Sequence, residues 1–197
     1  TQLNDDTWFN FQATLIQPTQ ADTLAELLAY DAVVIGGSGY DSNQFSPYAQ
    51  ALVDYVGQGG GLVMTGFGLY ASGGLGGQLR ADFNGVIPIN LDAGNTNGYS
   101  DSITIVGNHP VVSGVNSYSG SGSYVEYVYT GGTPLDAGAT LLYQVYGNPA
   151  AAAMQAGAGR SVYLGSTYAY ANGRSGLGAG DADRILEQAL AWVATDR

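Results

Sequence analysis

The stretch that most constrains the fold is residues 30–66, YDAVVIGGSGYDSNQFSPYAQALVDYVGQGGGLVMTG. It contains two short apolar runs, AVVI at 32–35 and LVM at 62–64, and each is typical of a strand that is covered on both faces. Glycine-rich turns and a helical segment separate the two runs. A strand, a helix and a second strand at this spacing predict a right-handed parallel crossover, which is one unit of an α/β layered fold.

The helical segment of this unit has start and stop signals. Ser46 is a natural N-cap, and Pro47 suits the first helical position because its missing N–H would be unpaired there anyway. Gly57 favours a helix end. We therefore expect a helix over residues 47–56.

The second half of the chain is richer in predicted strands. Strands are predicted at residues 124–129, 140–146, 150–154 and 161–164, and an amphipathic helix closes the chain over 183–194. We expect the strands that begin at 32, 62 and 161 to be parallel neighbours, with both long helices packed on the sheet. The polar segment 91–101 is predicted to be a loop.

Composition excludes several classes of partner and site. The chain has 197 residues, a net charge of −11, five arginines and no lysine, so no basic patch for nucleic acid or anionic membrane is predicted. No apolar run reaches about 18 residues, so no membrane span is expected. Cysteine is absent, which excludes disulfides and thiolate metal sites. We predict one domain over residues 1–197 and no cofactor.

Low charge, absent lysine and abundant Gly, Ser, Thr, Asn and Tyr are typical of secreted or surface-displayed bacterial proteins. We therefore predict an extracellular or cell-surface location. An acidic cytoplasmic protein is the alternative.

Five phrases in order resemble the class I glutamine amidotransferase-like superfamily. They are LAYDAVVIGG, YVGQGGGLVMTG, NHPVVSGV, GAGRSVYLGS and DADRILEQALAWVA, and together they span roughly residues 20–195. The similarity is greatest to non-catalytic branches, such as trehalose-utilisation-like domains and the trimerisation domains of some β-galactosidases. The resemblance implies a flavodoxin-like three-layer sandwich with a mostly parallel central sheet, here with extra antiparallel strands in the second half.

The catalytic residues of that superfamily are missing from the matching positions. Its nucleophilic Cys would follow the strand that ends at Thr65, where this chain has Gly66-Phe67-Gly68. Its His and Glu would follow the strand that ends at Leu164, where the chain reads Gly165-Ser166-Thr167-Tyr168. Without a thiolate and an activating base, amidotransferase chemistry is not expected.

The remaining candidate residues each have a structural and a functional interpretation. His109, the only histidine, precedes Pro110 in a turn, and we expect it to cap that turn rather than to act as a base. A weak calcium candidate lies in the 91–101 loop, because oxygen ligands cluster there, although Asn and Asp are also common in turns: Asp92, Asn95, Asn97 and Asp101. The many tyrosines of the second half suit packing, protein interfaces and carbohydrate platforms alike.

Two functions from different classes therefore remain. The first is a catalytically inactive amidotransferase-like module that serves assembly or protein–protein contact with identical or different chains. The alternative is a carbohydrate or small-ligand binding domain with its site at the carboxyl ends of the parallel strands, lined by six residues: Ser38, Tyr40, Asp41, Phe67, Tyr168 and Tyr170. A hydrolase with an unrecognised site is the least favoured reading.

The assembly hypothesis rests on a missing strand. A doubly wound sheet normally opens with a central apolar strand, whereas residues 1–10 are polar. Either residues outside this chain supply that strand, or residues 9–16 fill its place. An unfilled position would leave an open strand edge, which a neighbouring chain can complete by strand addition.

Overall fold

The computed structural model describes residues 2–36, 42–99, 102–118, 124–129, 132–168, 177 and 179–194. The α-helices are α1 (Leu24–Leu27), α2 (Ser42–Gly57), α3 (Gly68–Ser72), α4 (Gly77–Asn84) and α5 (Gly180–Val193). The strands are β1 (Ala32–Ile35), β2 (Gly61–Thr65), β3 (Asn95–Tyr99), β4 (Thr104–Ile105), β5 (Tyr124–Val128), β6 (Thr140–Val145), β7 (Asn148–Ala156) and β8 (Gly159–Leu164). Short 3₁₀ turns span Gln2–Asn4, Pro18–Gln20 and Pro110–Val112. None of the helices in the described ranges is long and apolar enough to cross a membrane.

The main sheet has six strands in the order β1-β2-β8-β7-β6-β4. β1, β2 and β8 are parallel neighbours, whereas β7, β6 and β4 continue the sheet in antiparallel pairs. A separate antiparallel ribbon pairs β3 with β5. The predicted α/β, flavodoxin-like fold class is confirmed, as is the prediction that the strands beginning at 32, 62 and 161 are parallel neighbours.

Strand alternation divides the core into two layers. Leu62 and Met64 point into a cluster that contains buried residues of α2 and α4, whereas Val63 between them points into a cluster built on α5. Helices therefore cover both faces of the sheet, as a three-layer sandwich requires.

Two predicted element boundaries were wrong for reasons of tertiary packing. α2 begins at Ser42 rather than at 47, with Pro47 inside it, because Phe45 in the added turn is buried and packs edge-on against Phe83 at 5.0 Å between ring centroids. Part of the predicted 91–101 loop is strand β3. Its pairing with β5 places the rings of Tyr99 and Tyr124 in contact, 4.1 Å between centroids. The sequence of β3 has no local apolar pattern that would predict this pairing.

The hypothesis that residues 9–16 provide the missing strand was also wrong. The alternating pattern of this segment suits a strand. In the structure, however, side chains rather than a neighbouring strand form hydrogen bonds with its backbone groups. The Asn4 amide both donates to the Ala13 carbonyl (2.9 Å) and accepts from the Ala13 N–H (2.7 Å), and the Phe9 N–H donates to Glu187 (2.8 Å). Leu15 consequently remains 88% exposed.

The first strand of the sheet has one open edge. Among the described residues, β1 pairs with β2 and with no other strand. Its Val34 is 36% exposed, although the AVVI sequence is of the kind that is normally covered on both faces.

The carboxyl of Asp136 predicts a pH-dependent stability. Burial, with a smaller contribution from the Asp92 carboxylate, raises the pKa of Asp136 to about 6, and its Oδ2 is buried without a hydrogen-bond partner in the described part of the chain. A raised pKa in the folded state means that its stabilisation is present at low pH and is lost as the pH rises through about 6.

At a pH above the pKa of Asp136, we expect Asp136→Asn to raise the free energy of unfolding by about 1 kcal/mol. This value is smaller than the full pKa shift would give, because the carboxyl is partly solvated. At about pH 3, below the pKa of an unperturbed Asp, the variant and the wild type should have equal stability. Urea unfolding across this range measures the difference, and a gain that did not change with pH would contradict the assigned cause.

Candidate functional site

An unusual backbone position lies directly after β2. Thr65 ends the strand, Phe67 adopts the left-handed conformation (φ 66°, ψ 0°), and α3 begins at Gly68. A bulky side chain rarely occupies this conformation, which costs on the order of 1–2 kcal/mol. A sharp strand-to-helix turn of this kind, here called the elbow (residues 65–68), raises its central side chain above the sheet edge.

The elbow depends on the glycines that flank Phe67. A Cβ on Gly66 would lie 2.3 Å from the Gly165 carbonyl oxygen, and one on Gly68 would lie 2.4 Å from Cγ of Met64. The resemblance assigns the nucleophilic Cys to this turn. In this structure the central side chain of the turn is the hydrocarbon ring of Phe67, which is not a nucleophile.

A buried carboxylate holds the elbow in place. Glu126 on β5 is 1% exposed and accepts four hydrogen bonds: from the backbone N–H of Leu69 (3.1 Å) and Tyr70 (2.8 Å), from the Asn95 amide (2.8 Å) and from the Tyr163 hydroxyl (2.7 Å). Burial raises the pKa of Glu126, and these hydrogen bonds act in the opposite direction. Glu126 thus joins α3, both strands of the β3–β5 ribbon and β8.

The sequence analysis missed Glu126. The segment Tyr-Val-Glu-Tyr-Val predicts a strand, and an acidic residue between apolar ones is usually assigned to the solvent face. Its burial depends on donors that lie 31 to 57 residues away, so no local pattern marks it.

The residues after β8 form the other side of the elbow. The Gly66 N–H donates to the Ser166 carbonyl (3.0 Å), and the Ser166 hydroxyl lies 3.0 Å from the Tyr143 hydroxyl. Burial raises the pKa of Tyr143 to about 12, so this pair stays neutral. Thr167 Oγ1 is buried beside Gly66 and has no hydrogen-bond partner among the residues described. None of these side chains is a base near neutral pH.

His109 lies far from the elbow. Its Nδ1 accepts the Val111 N–H (3.3 Å), which is the capping role that the sequence predicts, and burial lowers its pKa. Its ring contacts Trp192, which also contacts Arg160 near the start of β8. Thr65, where the elbow begins, pairs with Leu164 at the other end of that strand, and Leu164 lies about 13 Å along β8 from Arg160.

Two of the six predicted ligand-site residues lie in the described part of the chain. The Phe67 ring packs against Tyr124 (5.9 Å between centroids), and the Tyr168 hydroxyl donates to the Ala182 carbonyl (2.9 Å). Ser38, Tyr40, Asp41 and Tyr170 lie outside the described residues. The ligand site stays a prediction.

The weak calcium candidate also stays a prediction. Asp92 forms an ion pair with Arg80 (3.0 Å), Asn95 donates to Glu126, and Asn97 lies within β3. Asp101 lies outside the described residues.

Aromatic side chains extend from the elbow onto the β3–β5 ribbon. Phe67 contacts Tyr124, which contacts Tyr99, and the Tyr146 hydroxyl donates to the Tyr99 carbonyl. Tyr99 and Tyr146 are 47% and 63% exposed. The Tyr99 ring contacts the Tyr124 ring, and the Tyr146 ring contacts the Tyr127 ring.

Comparison with solved structures confirms the fold. A cytoplasmic protein of Salmonella typhimurium LT2 matches with a TM-score of 0.65 at 17% identity, over 87% of this chain and 75% of that one. A ThuA-like protein from Parabacteroides merdae ATCC 43184 matches with a TM-score of 0.64 at 16% identity, over 98% and 82%. A β-galactosidase from Bacillus circulans sp. alkalophilus matches with a TM-score of 0.52 at 22% identity, over 87% of this chain and 23% of the enzyme.

These neighbours share 16% to 22% sequence identity with the chain, so the comparison shows the fold alone. No protein-family model and no curated protein sequence matches the chain. The prediction of an extracellular or cell-surface location is contradicted, because two of the structural neighbours are described as cytoplasmic proteins. The compositional association behind that prediction has no physical link to a compartment.

Proposed function

We propose that the chain is a catalytically inactive amidotransferase-like module that assembles with another protein chain through the open edge of β1. In this proposal residues 1–197 act as one domain, and a strand from the neighbouring chain takes the place of the missing first strand. The observation that carries the proposal is the single partner of β1 among the described residues, together with the exposure of Val34.

The physical argument concerns backbone groups. In a strand with one neighbour, alternate N–H and C=O groups point away from that neighbour and have no partner in the sheet. An apolar strand with such an edge favours pairing with another chain. A second copy offers the same edge, and a two-fold axis would pair β1 with β1 in antiparallel orientation. The net charge of −11 on each copy opposes this contact, so we expect salt to strengthen it.

Light scattering on the purified chain tests assembly. The wild type should be larger than a monomer, and Val34→Lys should shift it to monomer, because a charge at the strand edge blocks pairing. Leu15→Lys makes the same chemical change at an exposed site outside any strand and should leave the assembly intact. A wild type that is monomeric at all concentrations and salt levels contradicts the proposal.

The proposed inactivity has a separate test. We expect no glutaminase activity above a buffer blank from the wild type. We also expect none from Phe67→Cys, which puts a thiol at the elbow, because His109 lies at the opposite end of β8 and cannot activate it. Glutamate release that is lost on unfolding would contradict this expectation.

A second candidate function is carbohydrate binding, and the exposed rings beside the elbow favour it. Aromatic faces pack against the apolar faces of sugars. Calorimetric titration with lactose and with trehalose tests it. Tyr99→Ala should abolish binding, whereas Tyr99→Phe keeps the ring and should retain it. If neither lactose nor trehalose binds the wild type, the carbohydrate-binding proposal is contradicted for both sugars.

A further inference from the structure

Three carboxylates meet where the N-terminal segment lies on α5. Asp183 and Glu187 are one turn apart on α5 and are each 1% exposed, and Asp5 approaches them from the N-terminal segment. One carboxylate oxygen from each residue lies within 4.8 Å of the other two. This group, here called the α5 acidic cluster, is far from the elbow in sequence and is independent of the proposed assembly.

One oxygen of the cluster is buried and unsatisfied. Glu187 Oε2 accepts the backbone N–H groups of Trp8 (3.3 Å) and Phe9 (2.8 Å). Its Oε1 is buried and has no hydrogen-bond partner within the described ranges. The Glu187 carboxyl also lies within hydrogen-bond reach of the Asp183 carboxyl, and one Glu187 oxygen is within 4.8 Å of both other carboxylates, so the Glu187 side chain faces the cluster. A buried carboxylate oxygen without a hydrogen-bond donor is stabilised when it is protonated or when it binds a cation.

No basic side chain neutralises the cluster within the described ranges. Arg184 is adjacent in sequence, but its guanidinium donates to Gln188 (3.0 Å) and to the Gly114 carbonyl (2.9 Å), and it lies 4.8 Å from the centre of the Trp8 ring. Gln2 supplies a neutral donor to Asp183. Burial raises the pKa of both Asp183 and Glu187, as expected for acids that lack a counter-charge.

We infer that the α5 acidic cluster binds a hard divalent cation, with calcium as the best fit, through Asp5, Asp183 and Glu187. Oxygen-only ligands favour calcium or magnesium over softer metals. Calcium accepts oxygen ligands in irregular geometry, whereas magnesium requires a nearly ideal octahedron. One oxygen from each of the three carboxylates lies within 4.8 Å of the other two, which is close enough for all three to contact one calcium ion, and water would fill the remaining coordination positions. The bound ion would fasten the N-terminal segment to α5.

Calorimetry with CaCl₂ on the EDTA-treated protein tests the inference. The wild type should bind one calcium ion and melt at a higher temperature in its presence. Asp5→Asn changes an exposed ligand, so it should fold normally while weakening calcium binding by about tenfold or more. Glu187→Gln should have the same effect on binding. Terbium provides a second readout, since Trp8 beside the cluster should sensitise its luminescence in the wild type and not in these variants.

Asp92→Asn is the matched control, because it removes one carboxylate from the other calcium candidate. It should leave calcium binding and the calcium-dependent rise in melting temperature unchanged. The inference is overturned if the wild type shows no calcium response, if Asp5→Asn and Glu187→Gln bind as well as the wild type, or if Asp92→Asn alone abolishes binding. A wild type that is insensitive to calcium and gains stability on acidification would show that Asp183 and Glu187 share a proton instead, which also overturns it.

Discussion

Glu126→Ala is expected to lower the free energy of unfolding by about 4 kcal/mol, a large fraction of the stability of a domain of this size. The substitution leaves four donors without their acceptor: two backbone N–H groups of α3, the Asn95 amide and the Tyr163 hydroxyl. Each buried donor without a partner costs about 1–3 kcal/mol, and partial relaxation reduces the sum. Because α3 begins at the elbow, the same change should loosen the Phe67 turn.

Urea unfolding measures this effect, and Asp54→Ala is the control because Asp54 is an exposed carboxylate whose one described partner is Gln50 on the same helix. The control should change stability by less than about 0.5 kcal/mol. Glu126→Gln keeps the shape and one acceptor oxygen, so we expect an intermediate loss if the alanine variant does not fold. A loss below about 1 kcal/mol for Glu126→Ala would show that its hydrogen bonds are dispensable.

Gly165→Ala is expected to destabilise the protein by about 3 kcal/mol or more. An added Cβ would lie 2.0 Å from the Glu126 carbonyl oxygen and 2.6 Å from the Ala150 carbonyl oxygen. Both atoms are backbone. Their strands are fixed by hydrogen bonds that Gly165 itself makes, donating to Ala150 (2.7 Å) and accepting from the Glu126 N–H (2.8 Å). Neither carbonyl can move without breaking one of these bonds.

Gly76→Ala is the matched control, since a Cβ there meets nothing within 4 Å and the backbone is not in the left-handed region. Thermal unfolding should show a large decrease in melting temperature for Gly165→Ala and little change for Gly76→Ala. Equal behaviour of the two variants would mean that β5 and β7 can separate at this point without cost.

The parts of the fold that were predictable from sequence are those in which the signal is local. The apolar runs at β1, β2 and β8 and the amphipathic stripe of α5 each lie within one element, so periodicity reveals them. The extension of α2 to Ser42 and the β3 strand depend on distant partners, Phe83 and β5, and were missed. Such packing overrides the local secondary-structure propensity, because burial of apolar surface contributes more free energy than that propensity does.

The candidate sites can be divided in the same way, into features with a local sequence signal and features that depend on distant residues. The sequence predicted a turn at Gly66-Phe67-Gly68, and the structure has one there because the turn follows directly from a recognisable strand. Asp183 lies in the first turn of α5, and the structure also buries it beside Glu187 and Asp5. That contact joins positions about 180 residues apart, and no spacing rule connects them. The Glu126 anchor and the α5 acidic cluster therefore needed the structure.

The open edge of β1 is the centre of the proposed function, and amide hydrogen exchange of Ala32–Ile35 tests it most directly. In the unassembled chain, alternate amides of this strand point away from β2 and should exchange rapidly, while the others are protected. If a strand of another copy pairs with β1, all four amides should become protected at concentrations where light scattering detects the assembly. Alternate amides that still exchange rapidly in the assembled state would contradict the account, because the contact would then lie elsewhere on the molecule.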